Sequence, residues 1–283
     1  MKKLILIILL HLFAFSALAE NIISCSHIQL CKMIDLLARD NKMTNLKTEV
    51  LVNISGDPHE YEPTAFEIKK LINVPILLFG PRELNPWIQK IIYQRSKQST
   101  AKSIDLVFTP VDFNFYPKAS AEAISHFWLY PKIYCSLQLK LETELSKLFP
   151  SLKNSHRCDF LTPENELQMA LQKNNLPIIL THDALLPLMH SLAPNKKELI
   201  TAIKGSGHHE EVGPQAIKKM YDALKAPQVI WIIEAGINVP PIILNKKRPL
   251  DKVIYLDTSN SKNDNPFSVI KELSVKLNQI SEK

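Results

Sequence analysis

The chain is 283 residues long and carries 34 Lys and Arg against 28 Asp and Glu, a formal net charge of +6. A basic surplus can indicate nucleic-acid binding, but the lysines are spread over predicted helix faces, such as Lys69-Lys70 and Lys218-Lys219, as on a solvated surface. We therefore expect no nucleic-acid partner. The length suffices for one large domain or two smaller ones, and we favour two.

The first 19 residues are typical of a secretory signal peptide. Lys2-Lys3 form a positive start, a largely apolar run follows from Leu4 to Phe15, and Ala17-Leu18-Ala19 is the small-x-small pattern at which signal peptidase cuts. The run is shorter than the ~20 apolar residues of a bilayer-spanning helix, so we expect a soluble, periplasmic mature chain from Glu20. In an alternative that stays open, Ile22-Ile23-Ser24-Cys25 is a lipoprotein box with Cys25 acylated.

Beyond this segment, short β-rich apolar runs alternate with segments of helical period, the pattern of βα units around a parallel sheet. Strands are predicted at residues 22–26, 50–54, 75–79, 104–108, 177–181, 199–203, 228–233 and 252–256. Helices are predicted between them, among others at residues 28–38, 134–148 and 162–175.

This alternation predicts an α/β fold with two Rossmann-like lobes, each with a parallel sheet, joined by a helix. After the signal peptide, 1–19, we place an N-terminal lobe at 20–150 and a C-terminal lobe at 177–283. The linker between them, 151–176, is where proline, polar residues and broken periodicity coincide. A metal site is expected in the cleft between the lobes, for the reasons that follow.

Four cysteines in an exported chain allow three disulfide connectivities. The short separations make Cys25 with Cys31 and Cys135 with Cys158 the simplest scheme, which an oxidising compartment would permit. Buried free cysteines are common as well, and the sequence leaves this choice open.

Polar residues at the ends of predicted strands indicate where a ligand would bind. In a parallel α/β sheet, ligands collect at the carboxyl ends of strands because the loops converge there. The candidates, two from each half of the chain, are His59 and His126 in loops of the first half, and His182 and Asp257 directly after strands of the second. Such an arrangement points to a groove between the lobes. Simpler readings remain open, since a histidine after a strand can be an ordinary loop residue and Asp257 can form an Asx turn.

The same residues lie in segments that resemble the zinc/manganese solute-binding proteins of metal ABC importers. Asp57-Pro58-His59-Glu60-Tyr61-Glu62-Pro63 is similar to that family's DPHEYEP segment, and His126-Phe127-Trp128-Leu129-Tyr130-Pro131 is similar to its HxWLDP segment. Thr181-His182-Asp183-Ala184 resembles its (S/T)HDA segment, and Tyr255-Leu256-Asp257 its strand-end aspartate. The resemblance implies that His59, His126, His182 and Asp257 are the metal ligands.

The chain also departs from the family pattern. Tyr130 stands where the family usually has an acidic residue, and Glu234-Ala235-Gly236 replaces a Glu-Pro pair. The family's long bridging helix is expected here to be shortened to the helix at 162–175. Glu60 or Glu62 is a candidate acceptor for the second ring proton of a ligating histidine.

The implied ligand set favours zinc. Three imidazoles and one carboxylate suit tetrahedral Zn²⁺, whereas manganese prefers more oxygen ligands; Mn²⁺ and Fe²⁺ remain alternatives. Four protein ligands close the metal shell, while a catalytic zinc keeps a position for water. Since HExxH, GxSxG and phosphate-loop motifs are also missing from the sequence, we do not expect an enzyme.

The expected function is that of a monomeric, extracytoplasmic receptor that captures Zn²⁺ and delivers it to the membrane permease of an ABC transporter. Two other functions are retained as alternatives. One is a metal-buffering or adhesin-type surface protein, and the other is a zinc hydrolase.

Overall fold

A computed structural model gives the structure of the chain. It describes residues 21–51, 61–82, 85, 87–98, 100–107, 114–116, 125–152, 158–204, 212–235, 239–259, 263 and 265–282. The predicted signal peptide and the segment that carries His59 and Glu60 lie outside these residues.

The first half of the chain forms a four-stranded parallel sheet. Its strands are β1 (Asn21–Cys25), β2 (Leu46–Val50), β3 (Ile76–Phe79) and β4 (Lys102–Asp105), in the order β2-β1-β3-β4. The helices that accompany it are α1 (Ile28–Asp40), α2 (Ala65–Asn73) and α3 (Ile88–Arg95). Two longer helices follow, α4 (Pro131–Leu148) and α5 (Leu161–Lys173).

The second half repeats this topology. Its strands are β5 (Ile178–His182), β6 (Ile200–Lys204), β7 (Ile230–Glu234) and β8 (Lys252–Leu256), in the order β6-β5-β7-β8, again all parallel. Its helices are α6 (Leu186–Leu192), α7 (Pro214–Ala223), α8 (Pro241–Leu244) and α9 (Ser268–Ser281). In both halves the second strand is an edge, and the first strand lies between the second and the third. The predicted α/β fold with two parallel sheets is confirmed.

Side-chain alternation along the strands divides each lobe's interior into two faces. Leu78 of β3 and Leu180 of β5 both belong to one large cluster that also contains α4, α5 and α9. Their neighbours Leu77 and Ile179 belong instead to separate clusters on the opposite faces of the two sheets. Because successive residues of a strand point to opposite faces, each sheet faces the shared cluster on one side and its own outer helices on the other.

One predicted strand was misplaced. It was expected at residues 50–54, of which 52–54 lie outside the described residues, and the structure has β2 at Leu46–Val50, paired in parallel with β1. β2 is an edge strand, and its residues Glu49 and Val50 are exposed. Such a strand can contain polar residues, and a search for apolar runs therefore does not detect it. Six of the other seven predicted strands lie within two residues of those observed. The seventh, expected at residues 104–108, is β4, Lys102–Asp105, which begins two residues earlier, and residue 108 lies outside the described residues.

The linker region contains α5, which is 13 residues long, about 20 Å. Its start was expected at Thr162-Pro163, but the helix begins at Leu161, and the Asp159 carboxylate accepts the N–H groups of Leu161 and Thr162, both at 3.1 Å. A carboxylate at this end also matches the helix dipole. α5 packs against α4 and α9. The domain limits 20–150, 151–176 and 177–283 stay a prediction.

Two disulfides are present, Cys25–Cys31 and Cys135–Cys158. They follow the short-separation scheme that the sequence left open. The first joins the last residue of β1 to the first turn of α1, and the second joins α4 to the segment just before α5. Among the described residues, no helix is long and apolar enough to cross a membrane.

An arginine occupies the same topological place in each lobe. Arg95, at the end of α3, donates to two carbonyls at 2.8 Å, that of Leu71 within the last turn of α2 and that of Val74 just beyond it. Arg248, before β8, donates to the carbonyls of Leu224 at 2.9 Å and Ala226 at 2.8 Å, just after α7. Helix C-termini leave carbonyls without intrahelical partners, and these guanidinium groups satisfy them.

We expect Arg95→Met to lower the free energy of unfolding by about 3 kcal/mol, because it removes charged hydrogen bonds and leaves buried carbonyls unsatisfied. Urea unfolding of the metal-free protein measures this. Arg82→Met is the matched control, since Arg82 pairs with Asp105 at the surface and exposed ion pairs contribute ~1 kcal/mol or less. Equal losses in the two variants would contradict the proposed role of Arg95.

Candidate metal centre

The carboxyl ends of the parallel strands carry the polar groups of the candidate centre. His182 is the last residue of β5, Glu234 is the last residue of β7, and Asp257 directly follows β8. His126 reaches this region from the first half of the chain. It precedes a single 3-10 turn, Phe127–Leu129, which is closed by the Leu129 N–H donating to the His126 carbonyl at 2.8 Å.

The structure brings two of the predicted ligands together. The ring centroids of His126 and His182 lie 5.2 Å apart, with the ring planes at 75°. Both side chains are buried, with 4% and 1% of their surface exposed. Buried imidazoles from distant parts of the chain are a suitable pair for a borderline-soft cation such as Zn²⁺.

Glu234 supports His182 from behind. Its Oε2 lies 3.4 Å from His182 Nδ1, and the carboxylate is fully enclosed. The Glu234 N–H donates to Thr181 Oγ1 at 3.0 Å, which fixes the end of β7 against β5. A carboxylate behind an imidazole sets the ring orientation and leaves the other nitrogen, Nε2, to bind a metal.

Glu234 was not among the candidates that the sequence suggested for supporting a ligating histidine. Of those candidates, Glu60 lies outside the described residues, and Glu62 is exposed. A second residue that sequence reasoning missed is His27, which follows β1 and stacks on Trp128 with ring centroids 4.9 Å apart. The rule that polar residues at strand ends form the site would have found both Glu234 and His27.

Asp257 adopts the simpler conformation considered above, an Asx turn. Its Oδ1 accepts the Ser259 N–H at 3.2 Å and the Ser259 hydroxyl at 2.5 Å. Within the part of the chain that the structure describes, no three His, Cys, Asp or Glu side chains lie close enough to hold a metal together. The structure thus brings His126 and His182 together, but Asp257 does not complete a group of three ligands with them. His59 lies outside the described residues.

Comparison with known proteins establishes the fold. No protein-family model matches the chain, and no curated protein matches it by sequence. Among solved structures, the periplasmic zinc-binding protein TroA from Treponema pallidum is similar, with a TM-score of 0.64 at 12% identity over 93% of this chain and 99% of that one. Fe(III)-bound YtgA from Chlamydia trachomatis gives 0.66 at 14% identity, over 92% and 98% of the two chains.

A third similar structure is the laminin-binding protein Lmb of Streptococcus agalactiae, described as a bifunctional protein with adhesin and metal-transporting activity. Its TM-score is 0.66 at 14% identity, over 93% of this chain and 98% of that one. The chain therefore has the two-lobed fold of these metal-binding proteins, and the fold that the sequence resemblance implied is confirmed.

We expect Glu234→Gln to weaken divalent-metal binding by about 10- to 100-fold, because it removes the charge that supports His182. Competition with a chromogenic chelator measures the affinity. Glu164→Gln is the matched control, since Glu164 is also buried but pairs with Lys132 at 2.9 Å and accepts a hydrogen bond from Tyr116 at 2.5 Å. A similar loss of affinity in both variants would argue against a specific role for Glu234.

Proposed function

We propose that the chain is an extracytoplasmic receptor that captures Zn²⁺ and delivers it to the membrane permease of an ABC importer. The observation that carries this proposal is the pair of buried imidazoles, His182 at the carboxyl end of β5 and His126 before the turn that leads into α4. His59 and Asp257 complete the proposed ligand set. The fold shared with TroA, YtgA and Lmb supports the same function.

Capture in this site requires a rearrangement of Asp257. In the Asx turn, Ser259 occupies Oδ1 of the carboxylate. Rotation of the Asp257 side chain, with its backbone held in place, would turn the carboxylate toward a cation held by the histidines. Since such a rotation breaks only the local hydrogen bonds to Ser259, the carboxylate is suited to join last when the metal is taken up and to leave first when it is handed over.

The ligand set favours transport over catalysis. Three imidazoles and one carboxylate would leave no coordination position for the water that a zinc hydrolase activates. A hydrolase would need such an open position.

Zinc is favoured over iron and manganese by the same ligands. Imidazole nitrogen binds Zn²⁺ more strongly than Mn²⁺ or Fe²⁺ in the divalent series, and oxygen-rich sites suit manganese. YtgA is described with Fe(III) bound, so iron is a necessary competitor in any binding assay. The signal-like segment 1–19 supports a periplasmic location. The proposed receptor is a monomer.

His126→Ala and His182→Ala are each expected to lower Zn²⁺ affinity by at least 100-fold, because each removes a ligand that the remaining groups cannot replace. Titration calorimetry on the mature chain should give one site in the wild type. His190→Ala is the matched control, since His190 bonds to the Ile200 carbonyl at 3.0 Å away from the proposed ligands. Unchanged affinity in the His126 and His182 variants would refute the proposed site.

A surface adhesin is the second candidate function, favoured by the likeness to Lmb. A cell that lacks the gene is expected to grow poorly under zinc starvation and to recover when zinc is added, because a receptor supports uptake. Complementation with His182→Ala should fail to restore growth. Normal growth of the deletion strain, together with loss of laminin binding, would favour adhesion instead.

A further inference from the structure

The 126–130 segment, from His126 to Tyr130, does more than supply the proposed ligand His126. Two of its aromatic side chains donate hydrogen bonds to backbone carbonyls of the second half of the chain. The Trp128 Nε1–H donates to the Thr258 carbonyl at 2.6 Å, and the Tyr130 hydroxyl donates to the Ala184 carbonyl at 2.5 Å.

Both acceptor carbonyls lie beside proposed ligands. Thr258 directly follows Asp257, and Ala184 lies two residues after His182, within the 3-10 turn Asp183–Leu185. One short segment of the first half therefore holds the backbone next to both ligands that the second half would supply. A third donor reaches the Asp257 loop from α1, where Gln29 Nε2 donates to the Ser259 carbonyl at 2.5 Å.

The two donors are themselves held rigidly. Trp128 is stacked on His27, with the ring planes within 17°. Tyr130 meets the ring of Tyr116 edge-on at a centroid distance of 4.9 Å. Both Trp128 and Tyr130 are fully buried, with at most 1% of their surface exposed.

The Tyr130 hydroxyl keeps its proton, and hence its role as donor, at any physiological pH. Burial raises the pKa of Tyr130 well above its ordinary value, and the nearby carboxylates of Asp183 and Glu234 raise it further.

We propose that Trp128 and Tyr130 are positioning residues for the metal site, which hold the Asp257 and His182 loops against the first half of the chain. The proposal rests on the proposed metal-binding function. Ligands contributed by two halves must be brought together at a cost in conformational entropy, and bonds that fix their backbones in advance reduce that cost. Loss of either bond should therefore speed metal release.

Tyr130→Phe removes the hydroxyl oxygen and so tests the hydrogen bond from Tyr130 to the Ala184 carbonyl. We expect Zn²⁺ to bind about tenfold more weakly and to dissociate about tenfold faster, as follows from the loss of one buried hydrogen bond. Tyr134→Phe is the matched control, because Tyr134 is buried one turn further along α4 and packs against Phe127 and Phe267. The control should retain the wild-type affinity and dissociation rate.

Trp128→Phe tests the hydrogen bond from Trp128 to the Thr258 carbonyl, and Trp231→Phe is its control. Trp231 is also fully buried, but its Nε1–H donates to Asp251 at 3.2 Å within the second half alone. We expect a loss of about tenfold in Zn²⁺ affinity for Trp128→Phe. Trp231→Phe should lower the urea midpoint without changing the affinity.

Spectroscopy of the Co²⁺-substituted protein separates positioning from stability. A displaced ligand changes the visible ligand-field bands of Co²⁺, so Tyr130→Phe and Trp128→Phe should shift these bands while Tyr134→Phe and Trp231→Phe should not. Wild-type spectra and zinc affinities in folded Tyr130→Phe and Trp128→Phe would overturn the positioning role and leave the proposed function intact. A wild-type chain that binds no metal would instead overturn the proposed function. Should one variant fail to fold, the other decides.

Discussion

Parallel strands all end at the same edge of a sheet, and this constraint determines where the polar groups of the candidate centre other than His126 lie. β5 and β7 are hydrogen-bonded neighbours, so His182 and Glu234 at their ends face each other without any dedicated loop. β8, next to β7, delivers Asp257 to the same edge. The first sheet adds His27 in the same way, and the shared apolar core with α4, α5 and α9 keeps the two sheets in contact.

The fold was largely predictable from the sequence because buried parallel strands consist mostly of apolar residues in short runs. β5 is the clearest case, since all five of its residues are buried. β2 was misplaced because an edge strand tolerates polar residues, and its apolar signal begins only where the strand ends. The start of α5 was missed by a residue because its capping carboxylate, Asp159, lies before the proline that drew attention.

The candidate site was predictable only in part. His126 and His182 meet as expected, since strand ends and the turn before α4 fix their backbones. The support of His182 by Glu234 depends on which strands are neighbours, and pairing between β5 and β7 cannot be read from residues 52 positions apart. Asp257 was placed at the correct edge. Whether its carboxylate turns toward a cation or toward its own loop depends on a small free-energy difference, which a sequence pattern does not predict.

The Cys25–Cys31 disulfide ties the last residue of β1 to the first turn of α1, and His27 lies inside the loop it closes. Because His27 stacks on Trp128, this covalent link braces one wall of the candidate centre. Thiols stay reduced in the cytoplasm and are oxidised outside it. For a chain exported as we propose, the contact between His27 and Trp128 would have no covalent support until translocation was complete. Completion of the candidate centre would then depend on the cell's oxidative folding machinery.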